Sequence, residues 1–434
     1  MEPFIFSKVN GHDFLVSLPS PKVRPSDRSG VHGWYHDYTA FSEGFALGAI
    51  EAFSSSKDDL VLDPFLGSGT SLVAAVKLGL SFIGVELSPF LALLGRAKFA
   101  FNANPSTIFN ILKIKPMRDL DISAILSQWY STKDLLYAAG VITKISKIVK
   151  KEGKDLLQSI LTDQDPELDN IVVALVSLLI SARSVAKLSS GSNPVWTRPA
   201  IQGEISLRRD SLIEVAVKKA DTMLSDLKRL KKQSAATHTK IIWGDTRSIP
   251  LPSRIVDLII TSPPYLNRLD YVISQQPELQ LLSLLHGVDM NELRRQMIGT
   301  TKIVEKGNPE AIWGPTCIKT LKTISTHPSK ASNTYYIWNY YKYFKDIYRC
   351  LSEFKRLARP GAKGILVVQN SHYKDIAIPI SNIFIEMGYN IGIEMKEIQY
   401  QSVRTHMGLL SPWQRHYSPS KTLKEVTLLM NFLA

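Results

Sequence analysis

The chain is 434 residues long, too much for one minimal domain, and its 44% apolar content is ample for a sizeable core. Charged residues are an ordinary 21%, but 52 Lys and Arg against 39 Asp and Glu leave a net charge of +13, which points to a polyanionic partner, either nucleic acid or an acidic membrane surface. No run reaches the roughly 18 uninterrupted apolar residues of a membrane helix, no basic-then-apolar leader opens the chain, and two cysteines without metal or redox spacing exclude a disulfide framework, so a reducing, cytoplasmic setting without a membrane is expected.

Residues 1–30 are rich in Ser, Pro and Lys and read as an irregular lead-in, after which Gly44–Phe53 becomes helical. The stretch Leu60–Phe99 then reads as strand, glycine-rich turn, helix, strand, helix. Its parts are a strand over Leu60–Leu62, a turn over Pro64–Gly69, a helix over Thr70–Leu78 and a strand over Phe82–Val85. Ser88 and Pro89 form an N-cap and first-turn pair for the next helix. This alternation predicts a parallel sheet covered by helices.

From 105 to 235 the pattern is mainly helical, with Ile213, Val217, Ala220, Leu224 and Leu227 on one face and lysines elsewhere. The apolar run Ile171–Ile180 reads as a buried helix or strand, and Lys187–Pro199 as a polar break. The sheet resumes with Lys240–Pro250 and Ile255–Tyr265. An irregular basic segment over 287–335 follows, carrying Arg294, Arg295, Lys302, Lys306, Lys319, Lys322, Lys330 and Trp313. A helix over Tyr340–Leu357, a strand over Gly361–Ser371 and a helix over Ile376–Met387 come next, and two strand-like runs flank a basic loop before Phe432. The organisation expected is a lead-in and ligand-binding half over 1–104, a helical insertion over 105–235, and a second half of the sheet domain over 236–434.

Three strand ends carry candidate chemistry. In Asp63-Pro64-Phe65-Leu66-Gly67-Ser68-Gly69-Thr70, glycines between a strand and a helix let the backbone approach a ligand at the partly positive helix end. No Lys follows the last glycine, so this is not a phosphate-binding lysine loop. Glu86 ends the next strand, where a carboxylate beside the first loop can accept both ribose hydroxyls of a nucleoside; it also suits an ordinary helix N-terminus. Asp245, after the strand Ile241–Trp243, can accept an adenine amino hydrogen, though Asp-Thr at a strand end is also common turn chemistry.

The fourth feature is Ser262-Pro263-Pro264-Tyr265, at the end of Leu258–Thr261. Together with Asp-Pro-Phe-x-Gly-Ser-Gly-Thr it resembles the S-adenosylmethionine-dependent amino-methyltransferases of DNA. The likeness covers residues 30–100 and 240–430 and leaves the helical insertion unexplained. It implies a doubly wound, Rossmann-like α/β methyltransferase sheet with a mainly helical insertion. Members begin the four-residue loop with Asp, Asn or Ser, and the Ser form looks most like the cytosine-N4 enzymes.

The residues suit that chemistry. An exocyclic amino group is a poor nucleophile because its lone pair is delocalised into the ring. The Ser262 oxygen and the Pro263 carbonyl can accept its hydrogens and localise the pair, while the prolines hold the loop rigid. Tyr265 offers a face for stacking a flipped base. Carbon-5 methylation needs a cysteine nucleophile, usually directly after proline; Cys317 follows Thr316 and Cys350 lies in a helical stretch.

The resemblance therefore implies S-adenosyl-L-methionine as cofactor, held by Asp63, Phe65, Gly67, Gly69, Thr70, Glu86, Asp245 and Trp34. It implies Ser262, Pro263, Pro264 and Tyr265 as catalytic residues, Asn267 and Tyr271 in the base pocket, and no metal. The partner implied is double-stranded DNA, with a separately encoded cognate restriction endonuclease. Either 105–235 or 287–335 would read the target. Adenine-N6 methylation, RNA amino-methylation and a silent nucleic-acid-binding subunit are the alternatives that the sequence leaves open.

Overall fold

The computed structural model describes residues 5–9, 12–16, 18–36, 40–119, 121, 123–162, 165–189, 196–200, 211–234, 238–266, 270–285, 288–300, 302, 305–403 and 423–433. A hairpin of β1 (Ile5–Val9) and β2 (His12–Val16) stands where an irregular lead-in is expected from the sequence. The chain continues through α1 (Glu43–Phe53), β3 (Leu60–Asp63), α2 (Thr70–Leu78), β4 (Ser81–Glu86) and α3 (Pro89–Ala97). A helical stretch follows: α4 (Pro105–Leu112), α5 (Ala124–Trp129), α6 (Thr132–Val149), α7 (Gly153–Thr162), α8 (Leu168–Val185) and α9 (Leu212–Gln233). Next come β5 (Thr239–Trp243), β6 (Val256–Thr261), α10 (Tyr271–Ser274), α11 (Gln276–Leu282), α12 (Met290–Gln296), α13 (Pro315–Thr326) and α14 (Ile337–Leu357). The chain closes with β7 (Ala358–Gln369), a small hairpin of β8 (Ser371–Tyr373) and β9 (Ile376–Ile378), α15 (Ile380–Asn390), β10 (Ile393–Val403) and β11 (Leu423–Phe432).

The seven-stranded sheet has the order β10-β11-β7-β6-β3-β4-β5. The five strands from β7 to β5 run parallel, and β11 and β10 are added antiparallel at one edge. Both faces are covered. Phe82, Ile241, Leu258 and Ile365 join a core with α1, α2, α3 and the helices of 105–233. Their neighbours Ile83, Ile242, Ile259 and Leu366 point the other way, into a core with α13, α14 and α15. Alternation of a strand's side chains between faces produces this division, and burial on both faces explains the near-continuous apolar strands. The fold is the doubly wound α/β sheet with helical additions that the sequence implies.

Local signals set the element ends. Ser42, Ser88, Ser131 and Ser211 cap α1, α3, α6 and α9 by accepting a backbone N–H, and Ser211 forms a reciprocal capping box with Glu214. Gly79 ends α2 in the left-handed conformation at φ 74°, donating its N–H to the last carbonyls. α8 is long and apolar enough to cross a membrane, but 83% of that window is buried inside the protein, so it serves as a core helix.

Three further readings are corrected. The segment expected to be irregular from 287 holds α12 and α13, because Asp289 caps one and Pro315 opens the other. Trp313, read as an aromatic interleaved among exposed cations, is fully buried against Tyr341 at a ring distance of 5.3 Å. The run Ile376–Met387, read as one helix, begins as β9 and becomes helical only from Ile380.

Candidate active site

β3 is the point where the sheet's connections change direction: chain after it crosses to β4 on one side, while β6 and β7 lie on the other. In such sheets the crevice outside the carboxyl ends at this point is the natural ligand site. A cavity of about 1270 Å³, solvent space included, opens there. The residues just past the four neighbouring strand ends line it: Pro64, Phe65 and Gly67 after β3, Glu86 and Ser88 at β4, Asp245 and Thr246 after β5, and Ser262, Pro263 and Pro264 after β6.

The two sequence motifs meet directly. Val61 and Leu62 of β3 pair with Leu258 and Ile259 of β6. Past that ladder, the Thr261 hydroxyl donates to Asp63 Oδ1 at 2.6 Å, and the Ser71 hydroxyl of α2 donates to Oδ2 at 2.5 Å. The Phe65 N–H completes the set at 3.0 Å. Asp63 is 1% exposed, and burial raises its carboxyl to about 6 even though these three donors pull it down. Asp63 thus braces the loop from beneath rather than facing the cavity. Thr70, also buried, opens α2 as its first residue.

Gly67 and Gly69 adopt φ of 54° and 84°, the left-handed region that a side chain enters only at a cost. The Gly67 N–H donates to Glu86 Oε2 at 2.9 Å, and the Ser88 N–H donates to Oε1 at 2.8 Å. The Glu86 carboxylate therefore sits on the cavity wall, oriented by two backbone donors. With about four lone-pair sites, a carboxylate so held can still accept from ligand hydroxyls.

Asp245 lines the cavity but is strongly engaged. Its Oδ1 accepts from the Arg247 N–H at 2.9 Å, and both oxygens face the Arg247 guanidinium. Burial works to raise its pKa, but the Arg247 side chain and backbone outweigh it, so the carboxyl titrates below its ordinary range. Arg247 also donates to Asp346 of α14 at 2.7 Å and to the Gln296 carbonyl of α12 at 2.7 Å. The geometry places Asp245 beside the cavity as a fixed anion with much of its accepting capacity already used.

In the Ser262–Tyr265 loop, the Ser262 hydroxyl donates to the Val367 carbonyl at 3.1 Å, and the Tyr343 hydroxyl donates to the Pro264 carbonyl at 3.0 Å. A hydroxyl that spends its one proton on a carbonyl keeps its oxygen as an acceptor. Tyr265 is turned elsewhere. Its hydroxyl donates to Glu425 Oε2 of β11 at 3.1 Å, and it is absent from the cavity wall. Burial and the Glu425 carboxylate push its phenol well above the ordinary range, with Ser262 pulling the other way. Tyr271, at the start of α10, lines the cavity in its place. Asn267 lies outside the described residues.

Trp34 also departs from its expected place. It is 5% exposed, and its indole N–H donates to Asp226 of α9 at 2.8 Å, away from the cavity. The next residues, Tyr35 and His36, line the cavity instead. Sequence reasoning further missed Gln275, whose side chain accepts from Ser88 Oγ at 2.5 Å, and Arg183 of α8, on the same wall. No short motif marks either. Cys317 and Cys350 are buried thiols raised by burial, and neither lines the cavity. Among the described residues, no group of His, Cys, Asp and Glu is arranged to hold a metal.

Residues 8–94 match the model of the N6_N4_Mtase family, described as a DNA methylase. The chain is 24% identical over 475 residues to the type II methyltransferase M.BsoBI of Geobacillus stearothermophilus, covering 95% of this chain and 87% of the relative. A shorter stretch of 89 residues is 45% identical to the type II methyltransferase M.MjaII of Methanocaldococcus jannaschii, covering 20% of this chain and 16% of that relative. Among solved structures, the rRNA methyltransferase AviRa of Streptomyces viridochromogenes is similar at 11% identity and a TM-score of 0.33, covering 94% of this chain and 93% of its own. The family match and the M.BsoBI relative support a DNA methyltransferase of the N4/N6 class.

Proposed function

We propose that the chain transfers a methyl group from S-adenosyl-L-methionine to the exocyclic N4 of cytosine in double-stranded DNA, on a base turned out of the duplex. The observation that carries this reading is the shared cavity: Gly67 and Glu86 line the same space as Ser262, Pro263 and Pro264.

The donor set fits this cofactor. Left-handed Gly67 brings backbone to the cavity wall just before α2, Glu86 is oriented for ribose hydroxyls, and Asp245 stands beside it for the adenine. When bound, the cofactor supplies an electrophilic methyl on a sulfonium, so the chain itself need provide no covalent nucleophile.

What the chain does is hold and orient. The Ser262 oxygen and the Pro263 carbonyl accept the two amino hydrogens of the target, drawing the lone pair out of the ring and toward the donor. Their positions are fixed by the Val367 carbonyl and by the Tyr343 bond to Pro264. Tyr265 braces the loop through Glu425, and the stacking surface for the base passes to Tyr271. After transfer the methylated amino group is cationic and loses its extra proton to solvent, since neither acceptor is a base able to hold it.

The decisive experiment incubates the protein with duplex DNA, RNA and methyl-labelled cofactor and analyses the nucleosides of each by mass spectrometry. N4-methylcytosine is the expected product. N6-methyladenine in its place overturns the choice of cytosine, and labelled RNA with unlabelled DNA overturns the choice of substrate. The similarity to type II methyltransferases favours service in a restriction–modification pair, with a separately encoded endonuclease cutting the same site and both acting in the cytoplasm.

A further inference from the structure

The helical stretch of 105–233 has no counterpart in the motifs, yet it reaches the cavity at one residue. Arg183 of α8 is the only Lys or Arg among the described residues lining it, and His36 is the only other side chain there able to carry positive charge. The acidic members of the wall are Glu86 and Asp245. Arg183 Nε donates to Glu278 Oε1 of α11 at 2.7 Å, and Nη2 donates to Oε2 at 2.9 Å. Nη2 also donates to the Ser274 carbonyl of α10, and the guanidinium lies 5.8 Å from the centre of the Tyr35 ring. Two chain segments far apart in sequence, at Tyr35 and at Ser274 to Glu278, therefore converge on this one side chain.

The ion pair is lopsided. Glu278 is fully buried, whereas the Arg183 side chain keeps 32% of its surface exposed. Burying the anion and leaving the cation at the wall gives the cavity a positive face, and the bidentate fork fixes its direction. A purely structural staple between α8 and α11 has no need to leave its cationic end on a ligand cavity.

Accepting the cofactor assigned above, on which this inference rests, its single negative charge remains without a protein partner. The nucleoside end is neutral and takes Glu86, while the amino-acid tail ends in a carboxylate. We propose that Arg183 binds that carboxylate, so that the helical insertion contributes directly to the cofactor site.

The test measures affinity by titration calorimetry for two ligands, S-adenosylmethionine and its decarboxylated analogue. Removing Arg183 alone leaves Glu278 buried and uncompensated, which endangers the fold. The variant used is therefore the pair Arg183→Met with Glu278→Gln, checked by circular dichroism, with Arg183→Lys as a milder second variant. The expected result is a loss of about 10- to 100-fold in affinity for S-adenosylmethionine, with affinity for the analogue unchanged. Arg183→Lys should keep part of the preference for the carboxylate ligand. Equal losses for both ligands, or no loss for either, overturn the assignment and leave Arg183 a staple. Wild-type protein that binds neither ligand overturns the cofactor reading itself, a result distinct from the others.

Discussion

The Thr261 hydroxyl donates to the Asp63 carboxylate at 2.6 Å across 198 positions of sequence, joining the ends of β6 and β3 beneath the cavity floor. This buried acid has a pH consequence. Its carboxyl is raised by burial to about 6 from an ordinary 3.8, so the folded protein holds the proton to higher pH than the unfolded chain does. The stability linked to Asp63 is complete below about pH 4 and is lost as pH rises through 6, a change on the order of 3 kcal/mol. The difference in unfolding free energy between wild type and Asp63→Asn should therefore decline from pH 4 to 6. A flat or rising difference in denaturant titrations refutes this.

Ser262→Ala and Gly67→Val should separate chemistry from binding. The first removes one preorganised acceptor and is expected to lower turnover by about 10²-fold while cofactor affinity survives. The second puts a β-branched residue at φ 54° and should abolish cofactor binding. Single-turnover methyl transfer alongside calorimetry reads both. Full activity in Ser262→Ala removes that residue from its assigned role.

Glu86→Ala deletes the acceptor of the Gly67 and Ser88 N–H groups together with the proposed ribose contact. Cofactor affinity should fall by about 10- to 100-fold, the worth of hydrogen bonds to a charged group. Unchanged affinity in titration calorimetry would show that Glu86 only organises its own turn.

Trp34 and Tyr35 are neighbours with opposite expected effects. Trp34→Phe removes the donor to buried Asp226 and should cost about 1–3 kcal/mol of stability without changing cofactor affinity. Tyr35→Ala should weaken cofactor binding, because Tyr35 is on the cavity wall. Thermal melts paired with titration distinguish the two, and a binding defect in Trp34→Phe would return that residue to the site.

The parallel sheet and its cavity-forming turns were legible because they depend on local signals: apolar runs, glycines after a strand, and a serine before proline at the start of α3. Glu86 could be found from its position at the next strand end, since strand ends in a parallel sheet share one edge. Among the aromatic candidates before β3, which include Tyr35, the assignment singled out Trp34, whereas Tyr35 lines the cavity. Val31, Trp34 and Tyr35 all suit a core, and only tertiary packing decides that Trp34 meets Asp226 while Tyr35 meets the cavity. Tyr265 was misdirected for a similar reason, since its partner Glu425 lies 160 positions away. Arg183 and Arg247 carry no motif, and their roles arise from helices brought together by the fold. The basic stretch after 287 looked irregular because its helices are short and begin at Asp289 and Pro315, where capping outweighs weak periodicity.

The helices of 105–233 share one continuous apolar core with α1, α2, α3 and the sheet itself. Among the described residues, these helices and the sheet share no seam along which they can part. The described body should melt in a single cooperative transition, and proteolysis within α4–α9 should release no stable fragment. Grafting this stretch onto a related scaffold, or deleting it, would tear open the core that seats β3 and β6.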